Sequence, residues 1–341
     1  MKRLLVLLLS LFVLVLSLNG STAPAAAQPS AITVIATNTI LADVARVVAA
    51  DLINVDSLLP TDADPHAYQP TVEDAARLAN AQMILADGAG YEQFLTNLIQ
   101  STGSNIPVVL ASRNVQILRV SSHDPNSGAW EPEALGTLGD GLTCAGDPPL
   151  TSSTDATAEA AAPSAECDPH VWMNPLNVIM WAQNIADAFT TLDPDHEQVF
   201  RQYAADYAAQ LEALDLEIQQ TIAEVPPERR VLVTTHEFMA YFADQYGFQI
   251  AGTVLPGASS AAESDPQRLA DLIAFLRDQH VPAVFAEVSA NPEMAHLVAS
   301  EAGVTLVTTL YSESLSAYDG DAPTYIDLMR TNARTIANAL R

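Results

Sequence analysis

Apolar residues in this chain fall into short runs separated by stretches where they return every three to four positions. Residues 32–36, 53–59, 83–86 and 108–110 are the runs of the first third, and 42–50, 72–81 and 91–100 carry the helical rhythm between them. This order predicts strands that each feed a helix, and so a parallel sheet covered by helices. The theme returns later, with strands at 230–234, 250–255, 283–286 and 305–310. Helices are predicted at 238–246, 265–279, 292–302 and 325–340, the second opened by Asp265-Pro266. Between the two series lie two helical stretches, 175–191 and 195–224. The second has apolar residues at Val199, Tyr203, Tyr207, Leu211, Leu214 and Ile218 and stops at Pro226-Pro227. At 1.5 Å per residue it would span about 45 Å, a stiff strut between two α/β halves.

Residues 121–166 break the pattern. They are rich in Ala, Ser, Thr, Gly and Pro, and no Lys or Arg occurs between Arg119 and Arg201. This composition predicts a long, largely disordered acidic insertion. At the other end, Met1-Lys2-Arg3 precedes an apolar run over 4–18 and small residues Ala25-Ala26-Ala27. The run is shorter than the roughly 20 residues of a membrane span, and the arrangement is that of a cleavable export signal. The expected organisation is a signal peptide at 1–27, an N-terminal α/β lobe at 28–193 with the flexible insertion at 121–167, a linking helix at 194–225 and a C-terminal α/β lobe at 226–341. The expected fold class is α/β, with a parallel-rich sheet in each lobe.

Charge and cysteine content narrow the function classes. The whole chain carries a net charge of −27, and its one lysine, Lys2, lies in the signal. Removal of Lys2 and Arg3 leaves 12 arginines against 41 acids. Such a surface repels nucleic acid and anionic lipid. The two cysteines, Cys144 and Cys167, are expected to pair in an oxidising compartment. No cysteine lies near the cleavage region to take a lipid anchor, so a soluble exported protein is expected.

Candidate chemistry sits in two matching phrases, Asp64-Pro65-His66 and Asp168-Pro169-His170. Each proline restrains its neighbourhood, so each imidazole stands on a built turn. Asp64 and Asp168 either orient an imidazole or cap a turn. His236 follows the strand predicted at 230–234, and Glu287 and Glu313 follow those at 283–286 and 305–310. Ligands of open α/β sheets bind beyond the carboxyl ends of the strands. Three imidazoles and a carboxylate suit a four-coordinate transition metal. Spacing alone leaves Glu313, Glu287, Asp319 and Asp321 as candidates for the carboxylate. His123, His196, His280 and His296 have ordinary settings in the insertion or on helices.

These residues stand in phrases that resemble the zinc- and manganese-binding solute receptors of bacterial ABC importers. The phrases are DPHAYQP (64–70), DPHVWMNP (168–175), TTHEFMAYFADQYGF (234–248), YSES (311–314) and GDAPTYIDLMRTN (320–332), and the resemblance runs through the whole mature chain. It implies two α/β lobes joined by a long helix and a metal held by His66, His170, His236 and Glu313. Glu313 stands where the family usually has Asp, and Glu287 is left, with Asp64 and Asp168, as a residue that orients ligands from behind. The resemblance further implies a monomeric receptor that hands its metal to a membrane permease and its ATPase. The insertion, with only His123, lacks the histidine-rich loop of many zinc-specific relatives. A ligand set of three imidazoles favours Zn²⁺ as the cargo, with Mn²⁺, which prefers oxygen, as the alternative.

The competing classes are a metal-dependent adhesin on the same fold and a zinc hydrolase. Against the hydrolase, four protein ligands would close the shell that a catalytic zinc keeps open. His236-Glu237 begins an HExxH phrase, but Ala240 stands where its second histidine belongs. No catalytic residue is assigned.

Overall fold

The computed structural model describes residues 32–103, 105–120, 130–140, 142–147 and 166–341. The expected signal peptide, and residues 121–129 and 148–165 of the expected insertion, lie outside the described residues. The first half runs β1 (Thr33–Ala36), α1 (Thr39–Ala49), β2 (Asn54–Ser57), α2 (Val72–Ala79), β3 (Met83–Ala86), α3 (Leu95–Thr102) and β4 (Val108–Leu110). All its strands are parallel, in the order β2-β1-β3-β4. The central strand β3 is buried along its whole length, as a parallel strand covered on both faces must be. Asn38 starts α1 by accepting from the Leu41 N–H, and Thr71 and Asp74 form a reciprocal capping box on α2.

The insertion departs from expectation. Strand β5 (Gln116–Leu118) pairs antiparallel with β6 (Ala134–Thr137), which lies inside the stretch read as disordered. Trp130 and Leu138 are buried there. These two apolar anchors and a crosslink hold the described part of the insertion, whose average composition is too polar to form a core of its own. That crosslink is the Cys144–Cys167 disulfide, spanning 23 positions. In the chain-entropy account a loop of this size contributes about 3 kcal/mol. Replacing both cysteines by serine is therefore expected to lower unfolding stability by about that amount in urea denaturation; an unchanged midpoint would show that the loop is held by packing alone.

Helices α4 (Pro175–Leu192) and α5 (Glu197–Ile222) follow. Asn174 caps α4 and Pro175 occupies its first turn. The 26 residues of α5 span about 39 Å, less than expected, because Pro194–His196 forms a separate 3₁₀ turn. Its buried seam is Phe200, Ala204, Tyr207, Leu211, Leu214, Ile218 and Ile222. Tyr203, assigned to that seam from spacing, is 45% exposed, since the seam starts one position later, at Phe200.

The second half runs β7 (Val231–Thr234), α6 (Ala240–Tyr246), β8 (Gln249–Thr253), α7 (Pro266–Asp278), β9 (Ala283–Glu287), α8 (Glu293–Ala302), β10 (Thr305–Leu310) and α9 (Tyr325–Leu340). Its parallel sheet has the order β10-β9-β7-β8. One buried cluster passes from the first sheet through Trp172, Trp181, Phe189 and Phe200 to Tyr325 and Ile336 of the second half. A smaller one lies under α7 and α8 around Leu272, Leu276 and Val298. Both sheets reverse their order of strand addition, between β1 and β3 and between β7 and β9. A crevice opens beyond the strand ends at such points. Among the described residues no helix is long and apolar enough to cross a membrane.

Candidate metal centre

Four residues from four separate segments meet beyond those strand ends. His66 sits on the loop between β2 and α2, and His170 just past Cys167, which bridges to Arg119 beyond β5. His236 lies two residues past β7 and Glu313 three past β10. Their ligating atoms all fall within 4.8 Å of one another. The three imidazole Nε2 atoms converge on one oxygen, Glu313 Oε1, at 2.9 Å from His170, 3.3 Å from His236 and 3.5 Å from His66. Ligands about 2.0 Å from a tetrahedral ion are about 3.3 Å apart, so the cluster already has the dimensions of a metal shell. His170, His236 and Glu313 are buried, and His66 is the most open of the four, with 8% of its side chain exposed. His66 Nε2 and the second oxygen, Glu313 Oε2, are buried without a hydrogen-bond partner. Buried polar atoms ordinarily find one, and these two are aimed where a cation would be.

Two of the imidazoles are fixed from behind. His170 Nδ1 lies 2.7 Å from Asp168 Oδ1, and His236 Nδ1 lies 2.9 Å from Glu287 Oε1. When the rings are neutral, each carboxylate keeps the proton on Nδ1 and leaves the Nε2 lone pair toward the cluster. Glu287 is itself held by the Thr235 hydroxyl, which removes it from the competition for the ligating carboxylate. Asp319 and Asp321 are exposed. The clustering thus separates Glu313 from the other candidates by position. His196, His280 and His296 are remote helix-end or surface residues, and His123 lies outside the described residues.

The electrostatics follow from burial against opposite charge. Burial would lower the His170 pKa, but the charge of Glu313 and the bond to Asp168 hold it up at about 9. Burial acts the same way on His236, and Glu287 and then Glu313 hold it up at about 10. Burial would raise Glu313, yet the facing imidazoles, His170 first, keep it well below the usual carboxylate range. These shifts favour protonated His170 and His236 facing an ionised Glu313 at neutral pH.

Spacing did not flag several supports of the site. The Tyr241 hydroxyl accepts from the Leu118 N–H and donates to the Asp168 carbonyl, tying α6 to the His170 turn. Trp172 Nε1–H donates to the Ser312 carbonyl, and the Tyr325 hydroxyl donates to the Trp172 carbonyl. Phe238 packs against both His236 and His170. At the first sheet's switch point, Asn38 donates to Asp87, while Glu92 accepts from Thr37 and from the Asp87 and Gly88 N–H groups. Burial first, then the neighbouring Glu92, pushes Asp87 well up, and burial raises Glu92 to about 7. For Trp172, Phe238 and Tyr241 the available signal was the aromatic content of the phrases carrying His170 and His236; the contacts of Asn38, Asp87, Glu92 and Tyr325 had none.

The family described as "ZnuA: Zinc-uptake complex component A periplasmic" matches residues 34–339. The chain is 28% identical over 304 residues to the iron-binding protein YfeA of Yersinia pestis, covering 89% of this chain and 85% of that protein. It is 26% identical over 338 residues to the manganese ABC transporter substrate-binding lipoprotein scaA of Streptococcus gordonii, covering 99% and 98%. Among solved structures, the periplasmic zinc binding protein TroA from Treponema pallidum superposes with a TM-score of 0.72 at 25% identity, covering 91% of this chain and 99% of that one. These relatives are receptors, not enzymes, and their names span three metals. The chain belongs to this family of periplasmic metal-binding receptors that serve ABC importers.

Proposed function

We propose that the chain captures Zn²⁺ with His66, His170, His236 and Glu313 and delivers it to the permease of an ABC importer and its ATPase. The observation that carries this reading is the convergence of three imidazole Nε2 atoms on one buried carboxylate oxygen. Three nitrogens and one oxygen in a tetrahedral shell match the ligand preference of zinc. In this reading residues 28–193 and 226–341 are the two lobes, 194–225 links them, and the exported protein works as a soluble monomer. The scaA relative is named a lipoprotein; here both cysteines are joined to each other. Protonation of the histidines weakens the metal's hold, so acid favours release.

Manganese is a second reading with an observation of its own. Glu313 Oε2 is buried without a partner, so a bidentate Glu313 would give three nitrogens and two oxygens, closer to the oxygen-rich preference of Mn²⁺. Native mass spectrometry of the purified mature protein, with elemental analysis, separates the two. One zinc per chain that excess Mn²⁺ does not displace is the expected result. Preferential retention of manganese against equimolar zinc would overturn the zinc assignment and leave the receptor role intact.

A further inference from the structure

We propose that Ser260, on the loop between β8 and α7, positions His66 from across the cleft by holding Asp64. The inference rests on His66 being a metal ligand. The two Asp-Pro-His phrases match in sequence but differ in wiring. Asp168 Oδ1 accepts from the His170 backbone N–H at 3.0 Å and also meets the ring Nδ1, so one carboxylate fixes both the turn and the imidazole. Asp64 Oδ1 accepts only from the His66 backbone N–H, at 2.9 Å. Its other oxygen, Oδ2, accepts from the Ser260 hydroxyl at 2.7 Å, a bond between residues 196 positions apart. Among the described residues no carboxylate stands behind the His66 ring. The orientation of this ligand therefore depends on its turn, and the turn depends on where Asp64 is held.

The rest of the setting makes that dependence strong. His66 is the most exposed of the four candidate ligands, and its loop has no regular structure between β2 and α2. On the opposite side the His170 turn is tied by Tyr241, and Trp172 by Ser312 and Tyr325. The His66 loop has two such ties to the second half: Ser260 on Asp64, and the Ser314 hydroxyl, which accepts from the Asp62 N–H at 2.8 Å. Removing the Ser260 hydroxyl leaves Asp64 held only by the His66 N–H of its own turn, so the turn loosens and His66 leaves the metal first.

The test is the rate at which zinc-loaded mature protein loses Zn²⁺ to excess chelator in stopped flow. Ser260→Ala is expected to release zinc about tenfold faster, the lower range for losing a partner that orients a ligand. Ser260→Thr, which keeps the hydroxyl, is expected to restore the wild-type rate. The Co²⁺-substituted absorption spectrum should be the same in wild type and Ser260→Ala, since the ligand set is unchanged. His66→Ala serves as the reference. If it releases zinc faster while Ser260→Ala keeps the wild-type rate, the positioning role is wrong and the ligand set stands. Equal acceleration in Ser260→Thr and Ser260→Ala would also overturn it, because loop packing rather than the hydroxyl would then be responsible. Unchanged binding in His66→Ala would remove the ligand assignment and the inference with it.

Discussion

Glu313→Ala is expected to weaken metal binding by more than about a hundredfold, beyond the 10–100-fold typical of losing a partner behind a ligand. Its Oε1 is the one atom that all three imidazoles face. Without it a divalent ion would have three neutral nitrogens and no negative charge in direct contact, inside a buried centre where solvation cannot compensate. The same change removes the charge that helps hold His170 and His236 protonated in the metal-free protein. Glu313→Gln keeps the volume and removes the charge, so it separates electrostatics from packing. Competition titration against a chelator of known affinity is the measurement. Binding within tenfold of wild type in both variants would move the fourth ligand to another group.

Metal uptake at neutral pH is expected to expel close to two protons per ion. His170 and His236, held up at about 9 and about 10, carry protons at pH 7 in the metal-free centre, and a ligating Nε2 cannot keep one. Two protons per ion correspond to an affinity that rises about a hundredfold per pH unit until the histidines have titrated. The stability of the metal-free protein runs the other way. A histidine whose pKa is raised by folding contributes stability that is complete below its ordinary value and is lost as pH rises through 9–10. Glu313, held down, contributes stability above its ordinary value that is lost as pH falls through its depressed one. Raising the pH from 7 to 9 should therefore loosen the empty fold while the metal is held more tightly, and leave the loaded fold nearly unchanged against the unfolded chain. Calorimetric titration in buffers of different ionisation enthalpy counts the protons. A heat independent of buffer would mean that the empty centre holds its imidazoles neutral.

Most of the architecture was legible because burial on both faces leaves a plain record. Strands such as Met83–Ala86 have no polar position to hide them, and Asn38, Thr71, Asn174 and Asp265 mark helix starts by their own hydrogen bonds. What failed was where composition was read as a substitute for contacts. Within the acidic stretch, residues 134–137 form a strand and Trp130 and Leu138 are buried, local features that an average over the segment dilutes, while the disulfide expected there is present. On α5 the expected positions Tyr207, Leu211, Leu214 and Ile218 are buried, and only the first turn was misplaced, where Phe200 and Ala204 are buried in place of Val199 and Tyr203 because packing decides between neighbours that spacing leaves level.

The same division holds at the centre. Legible along the chain were the candidate donor types and the turns that carry them: two Asp-Pro-His phrases, a histidine and a glutamate just past strand ends, and the order that identifies the receptor family. Those are local properties, set by proline stiffness, strand length and residue chemistry. Spacing left Glu287 and Glu313 level and the family phrases favoured Glu313; the physical reason is in the packing, since neighbouring β9 and β10 deliver Glu287 behind His236 and Glu313 in front of it. The tertiary structure alone made two identical phrases unequal, giving Asp168 to its own histidine ring and Asp64 to Ser260 in the other half. Hydrogen bonds across 196 positions depend on how the two sheets pack, and no local pattern encodes that distance.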